Sequence, residues 1–271
     1  MDVETRELQL ALLEMMKDFH KICCENNISY YMLGGTCLGA IRHSGFIPWD
    51  DDMDIGIPRE DYDKLCRIAN EILPSNLALR YYRNTEGSPF HFVKLINQET
   101  TLVEKNYKDY VEGIYIDVFP LDKIKKFGLV QKVRAKYIRL LHVLIMDHYY
   151  TGSKKSGIKN VVLKISKKLN IDRVHDKMEK LMTKETNIEN GLYCNYLGAW
   201  KDREIIDSSV FGKPVLYKFE DVELYGPEHA DKFLASLYND YMTLPPLDKR
   251  VCRHDYYYVN LNMPFNKYKN V

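Results

Sequence analysis

The stretch "LGGTCLGAIRHSGFIPWDDDMDIGIP", residues 33–58, decides how this chain is read. It sets Asp50, Asp51, Asp52 and Asp54 within five positions, shortly after the pair Gly34-Gly35. Clustered carboxylates repel one another, so a divalent cation, a basic partner or plain solvation on a loop must offset that repulsion. In "DDMDIGI", Asp52 and Asp54 alternate with Met53 and Ile55, and alternate residues of a strand share a face. Two carboxylates on one rigid strand suit Mg²⁺ or Mn²⁺, hard cations that take few acidic oxygens and keep positions for phosphate and water. The glycines permit close backbone approach, and a helix starting there aims free N–H groups outward. Gly34, Gly35 and Thr36 are therefore read as phosphate contacts. Alone, a D-x-D is mostly a solvated turn and a Gly-Gly mostly a turn. The succession of strand, Gly-Gly, short helix and D-x-D strand is what places a phosphate beside a metal.

Working outward, Leu8, Leu12, Met15, Phe19 and Ile22 recur at helical spacing and predict an amphipathic helix over residues 3–26. "ISYYML" reads as a strand entering the glycine pair, "TCLGAIRH" as a short helix and "MDIGI" as a second strand. Pro58 opens another helix, with Tyr62, Leu65, Ala69 and Ile72 as its buried stripe and Pro74 as its stop. "LALRYYR", "FHFVKLIN", "TTLVEK" and "GIYIDVF" follow as strands. Residues 127–190 are mainly helical, with Val130, Val133, Tyr137, Leu141 and Leu144 on one face. "KPVLYKFEDVELYG" is β-like, and a helix lies near 227–240. This order implies an α+β fold, a mixed sheet flanked by helices with an additional mainly helical C-terminal portion. A division at 1–122 and 123–271 is expected, with a single integrated domain as the alternative.

A third acid completes the cluster. Asp117 sits inside the apolar run "GIYIDVFPLD", where an acid is costly unless paired or metal-bound. It is read as the third metal ligand and a base for an acceptor hydroxyl, against the alternative of an Asp paired with Arg. Asp50 and Asp51 are assigned to orienting the ligands or binding outer water.

The block from Gly34 to Leu65, with "GIYIDVFPLD" and "YMTLPPLDKRVCRH", resembles the LicD family of the nucleotidyltransferase-fold superfamily. Leu33-Gly34-Gly35, Asp52-Met53-Asp54 and Asp117 fill the superfamily's slots, while residues 123–210 carry little of the likeness. The resemblance implies a nucleotidyltransferase-like sheet core with Asp52, Asp54 and Asp117 as catalytic metal ligands. It also implies transfer of phosphocholine from CDP-choline to a hydroxyl of a teichoic acid or lipopolysaccharide sugar, releasing CMP. Ribitol phosphate, another alditol phosphate or a nucleotidyl group is the alternative cargo. A cation-dependent glycan- or membrane-binding module is the non-enzymatic one.

Arg42 and His43, just after the short helix, are assigned to the donor phosphates; surface charge beside a loop is the competing reading. Lys94 is a base within an apolar strand and either contacts phosphate or pairs with an acid. Trp49 is the aromatic best placed for a quaternary ammonium, which π faces attract, though such residues are often packing. His254 is assigned to the returning tail as a phosphate or acceptor contact.

The formal net charge of +1 excludes a general polyanion binder, so no nucleic-acid partner is expected. It conceals an asymmetry: Lys123 to Lys168 holds thirteen Lys or Arg and one acid, Asp147. That segment is read as facing an anionic lipid leaflet, where a lipid-linked acceptor would be presented, or a polyphosphate acceptor, or else as a solvated helix face. Six cysteines without C-x-x-C spacing suggest reduced thiols. With no leader-like N-terminus and no apolar run near the ~18 residues a span needs, the expected location is cytoplasmic, peripheral at most to the inner membrane face.

Overall fold

A computed structural model of the protein describes residues 4–153, 156–185, 188–252 and 254–269. Its elements follow from the apolar pattern. Helix α1 (Thr5–Glu25) buries Leu8, Leu12, Met15, Phe19 and Ile22, the stripe the spacing marks. Each such side chain contributes roughly 1.5–3 kcal/mol when taken out of water. Strand β1 (Tyr31–Met32) is short and leads into helix α2 (Gly34–His43). Strand β2 (Asp54–Pro58) and helix α3 (Arg59–Ile72) come next, and α3 buries Tyr62, Leu65 and Ala69. Pro58 ends β2 and caps α3 instead of lying in the helix's first turn.

Strands β3 (Leu77–Arg80), β4 (Val93–Asn97), β5 (Thr101–Glu104), β6 (Val111–Glu112) and the long β7 (Tyr115–Ile124) continue the chain. Helices α4 (Leu129–Tyr149), α5 (Gly157–Ser166) and α6 (Ile171–Met182) form the helical portion. After β8 (Leu192–Cys194), β9 (Ile205–Asp207) and the short α7 (Ser208–Phe211) comes the hairpin β10 (Val215–Phe219) and β11 (Val222–Gly226). Helix α8 (Ala230–Tyr238) and strand β12 (Tyr256–Asn260) complete the fold.

The architecture is α+β. The main sheet runs β1-β2-β7-β4-β3, with β8 on the far part of β7 and β9 on β8. Within it β2 and β7 are parallel and the other pairs antiparallel. Strand β7 is its spine: it pairs with β4 and β2 in its first half and with β8 through Asp122, Lys123 and Ile124. Strand β12 pairs with β5, which returns the tail to the front of the molecule.

Helix α4 corrects the expected face. Its inward residues are Ala135, Ile138, Leu141 and Ile145, whereas Val130 and Val133 are 72% and 60% exposed. Apolar residues occur on nearly every side of α4, so periodicity alone does not choose the buried one.

Candidate active site

The site is assembled where β1 gives way to α2. The backbone N–H of Leu33 donates to the carbonyl of Asp54 at 2.9 Å, which ties the helix start to the head of β2. Gly34 is in the left-handed region (φ +45°), and a Cβ there would stand 3.3 Å from Asp54 Oδ2. A Cβ on Gly35 would stand 2.4 Å from Asp50 Oδ2. The glycine pair thus leaves room for two carboxylates at the N-terminus of α2, an end whose first N–H groups have no partner within the helix. Thr36 takes a positioning part, its hydroxyl accepting the Asp54 N–H at 2.8 Å.

Asp54 and Asp117 are register partners across the parallel strands β2 and β7, so they project from the same face. The Asp117 N–H donates to the Met53 carbonyl at 3.0 Å. Asp52 precedes the strand, yet its charge reaches both Asp54 and Asp117. Burial, with the charges of Asp52 and Asp117, holds Asp54 well above the usual carboxylate range. Burial, opposed by Lys94 and reinforced by Asp52, pushes Asp117 up to about 7. Asp50 is pushed up to about 8 by burial and by Asp52, to which it hydrogen-bonds. Asp52 is also raised by burial, against the pull of His254.

One atom stands out. Asp117 Oδ1 is buried with no hydrogen-bond partner, a costly state for a carboxylate oxygen in a protein interior. Four crowded acids and an orphaned oxygen are the donor chemistry of a hard divalent cation. Asp51, Asp52 and His254 form a neighbouring group whose ligand atoms lie within 4.8 Å of one another, likewise compatible with a divalent metal.

Asp51 belongs to a different set of contacts. It is buried, accepts from His254 Nδ1 at 2.7 Å and from Cys252 Sγ at 2.9 Å, and lies 203 residues before that histidine. Burial raises its pKa, but these hydrogen bonds dominate and leave it below the usual value. The bond to Asp51 correspondingly lifts His254 to about 9 despite burial. His254 Nε2 is 3.7 Å from Asp52 Oδ2, and its ring stacks on Tyr256 at 5.9 Å. The tail therefore brings a positive charge to the edge of the acids.

Other expected residues are distributed differently. Arg42 and His43 lie in the last turn of α2, roughly 10 Å along the axis from Gly35 at 1.5 Å per residue. Arg42 Nη1 donates to the Tyr241 carbonyl at 2.7 Å, and His43 meets the Trp49 ring edge-on at 6.2 Å. Arg250 lies over the other partner of that contact, 5.6 Å from the Trp49 ring. Arg42, His43, Trp49 and Arg250 thus form a cationic and aromatic flank, with Trp49 the chain neighbour of Asp50.

Lys94 is a correction to its assignment as a phosphate contact. It is 1% exposed, its Nζ bonds Glu104 and Glu112 at 3.0 and 2.9 Å, and it faces the rings of Phe90 and Tyr115. Its register partner is Asp117, so it acts on the site as a buried counter-charge and offers nothing to a ligand in solution.

Several neighbours escape sequence reasoning. Glu204 adds charge near Asp54 and is pushed up to about 7 by burial, against bonds from the Trp200 N–H and Asn195. Tyr238 approaches Gly34, and its ring meets Trp200 at 4.8 Å. All of these come from residues 195–250, where no local motif marks them.

Comparison with known proteins agrees with this geometry. Residues 27–138 match the LicD/FKTN/FKRP nucleotidyltransferase domain. The lipopolysaccharide cholinephosphotransferase LicD of Haemophilus influenzae is 25% identical over 92% of this chain and 95% of its own. An uncharacterized protein of Rickettsia prowazekii is 38% identical over 45% of this chain and 48% of its own. The ribitol 5-phosphate transferase FKRP of Homo sapiens is 53% identical across 34 residues, 12% of this chain and 7% of its own. The matched domain includes Gly34, Gly35, Asp52, Asp54 and Asp117, and with the likeness to a cholinephosphotransferase across nearly the whole chain it supports a LicD family phosphotransferase.

Proposed function

We propose that the protein transfers phosphocholine from CDP-choline to a hydroxyl of a cell-surface glycan precursor, a lipopolysaccharide or teichoic acid sugar, and releases CMP. The observation that carries the reading is the buried Asp117 oxygen without a partner, set beside Asp54 in a cluster short of positive charge. The nucleotidyltransferase-like arrangement in this reading is β1, Gly34-Gly35, α2 and the pair Asp52 and Asp54 at the head of β2, with Asp117 on the adjacent strand. Asp52, Asp54 and Asp117 would hold Mg²⁺ or Mn²⁺, which when bound would neutralise charge on the donor diphosphate. The first N–H groups of α2, at Gly34, Gly35 and Thr36, orient phosphate oxygens.

In the transfer, the acceptor oxygen bonds to the phosphorus that carries choline. The bond from that phosphorus to CMP breaks, and the hydroxyl proton passes to Asp117. His254, kept cationic by Asp51, and the Arg42–Arg250 flank stabilise the anionic donor and the departing CMP. Trp49 supports the choline head group through its π face. Residues 123–271 supply the acceptor side, and the working location is cytoplasmic; no helix among the described residues is long and apolar enough to cross a membrane.

A specific likeness, the FKRP segment, favours a second cargo, ribitol phosphate. The test is CMP release from CDP-choline and from CDP-ribitol, each with Mn²⁺ and dephosphorylated lipopolysaccharide or teichoic acid. CMP from CDP-choline together with labelled glycan is expected. CMP from CDP-ribitol alone would replace the cargo, and none from either donor would remove the reading.

A further inference from the structure

Of the fifteen large hydrophobic residues exposed among the described residues, eight lie between Leu129 and Ile165, all of them on α4 and α5. On α4, Leu129, Val133, Leu140 and Val143 are 79%, 60%, 49% and 48% exposed. With Lys136 they follow one another at steps of four, three, four and three, a continuous stripe roughly 21 Å long. On α5, Ile158, Val161 and Ile165 are exposed at steps of three and four. These side chains are not an unfinished core, because α4 already docks through Ala135, Ile138, Leu141 and Ile145.

The same two helices and the turn after α5 carry exposed cations. Lys132, Lys136, Lys159, Lys164 and Lys168 are exposed and form no ion pair among the described residues. Arg134 and Arg139, by contrast, are neutralised by Glu185 and Asp202. Asp147, the one acid from Lys123 to Lys168, is buried. A protein partner or second copy would bury the apolar stripes equally well. A second copy, however, would set lysines against lysines, and these charges call for an anionic counterpart that also accepts apolar side chains.

We propose that α4 and α5 form a docking surface for an anionic lipid bilayer, the stripes entering the headgroup boundary while the flanking lysines meet lipid phosphates. The helices lie on the membrane and do not cross it. The surface is distinct from the carboxylate cluster, and the inference stands whatever group the enzyme transfers.

Flotation of the full-length protein with vesicles tests it, using phosphatidylcholine alone and an equimolar mixture with phosphatidylglycerol. Binding to the mixed vesicles and not to phosphatidylcholine alone is expected. The double variant Lys132→Ala, Lys136→Ala should partition about twentyfold more weakly, each lysine at an anionic surface being worth roughly fivefold. Leu140→Ser with Ile158→Ser should weaken it at least fivefold at fixed salt, and Asp54→Asn should bind as the wild type does. These positions are exposed, and an unchanged circular dichroism melt verifies that the variants fold. Absence of binding to mixed vesicles would overturn the proposal. So would wild-type binding by the Leu140→Ser, Ile158→Ser variant, which would make the surface a general polyanion binder. Light scattering that shows a dimer converted to monomer by that variant would assign the face to a second copy instead.

Discussion

Two groups of acids lie around the same sheet, one supplied with cations and the other short of them. Around α3, Asp122 receives Arg59 through two bonds at 2.7 and 3.0 Å, and Glu179 takes a third at 3.2 Å and one from His91 at 3.0 Å. Burial pushes both acids upward; at Glu179, His91 and Arg59 prevail and hold it at about 2, while Asp122 stays raised even beside Arg59. Around Met53, Asp50, Asp52, Asp54 and Asp117 have burial but too few cations, and all four are raised. The fold therefore neutralises its acids where they support structure. It leaves a deficit of positive charge where Asp54 meets Asp117, a deficit suited to a cation arriving with the donor.

The most forceful way to break the comparison is to remove one acid from each group. Asp54→Asn should lower turnover, read as CMP release, by 10³-fold or more while the melting temperature holds or rises, because a source of repulsion has gone. A parallel fall in melting temperature would mean that Asp54 is structural, like Asp122. Arg59→Met should instead cost about 3–5 kcal/mol in urea denaturation, since it strands Asp122 and Glu179 without their base. A loss below about 1 kcal/mol would show that the two groups do not differ as described.

Acidity sharpens the same contrast with a smaller effect. In the metal-free protein, Asp117 and Asp50 have folded pKa values near 7 and 8, above those of the unfolded chain. Their contribution is present in acid and is lost as pH rises through that range, so the melting temperature should fall by several degrees between pH 5.5 and 8.5. Mn²⁺ should restore it, and more at the higher pH. Glu179 works the other way: its contribution is present above about 4.5 and is lost as pH falls toward 2. An apo protein whose stability stays flat from pH 5.5 to 8.5 would contradict the crowding. The smallest expected difference separates ligands from neighbours. Asp117→Asn should weaken Mn²⁺ binding, read by electron paramagnetic resonance, about tenfold more than His254→Gln does. Equal losses would make His254 a ligand.

Much of this was open to inspection in the chain itself, and the reasons are local. The acid inside "GIYIDVF" stands out because apolar runs seldom carry an aspartate, and the structure sets it beside Asp54; the alternation around Met53 overreaches, since β2 begins at Asp54 and Asp52 lies before it. The α1 and α3 stripes were legible because each is apolar on one side only. Lys94 has two chemically reasonable partners in any sequence, and only the pairing of β4 with β7 and the nearness of Glu104 and Glu112 choose between them. Arg42 lies in the last turn of α2 and meets the Tyr241 carbonyl, a partner 199 residues away that only the fold supplies. Glu204 and Tyr238 reach the front only through tertiary packing, for which "YLGAWKDREI" and its neighbours carry no signal. Helix α4 was misread because a helix that is greasy on two sides satisfies two surfaces at once.

The pairing of β12 with β5 has a consequence for how the protein comes into being. Asp51 leaves the ribosome 203 residues ahead of His254, the imidazole that meets it. During synthesis the aspartates are thus present long before their histidine companion, and a fragment lacking the tail strand carries a charged half-site with nothing to balance Asp51. Activity is in this sense a late property of the nascent chain, acquired when the tail folds back.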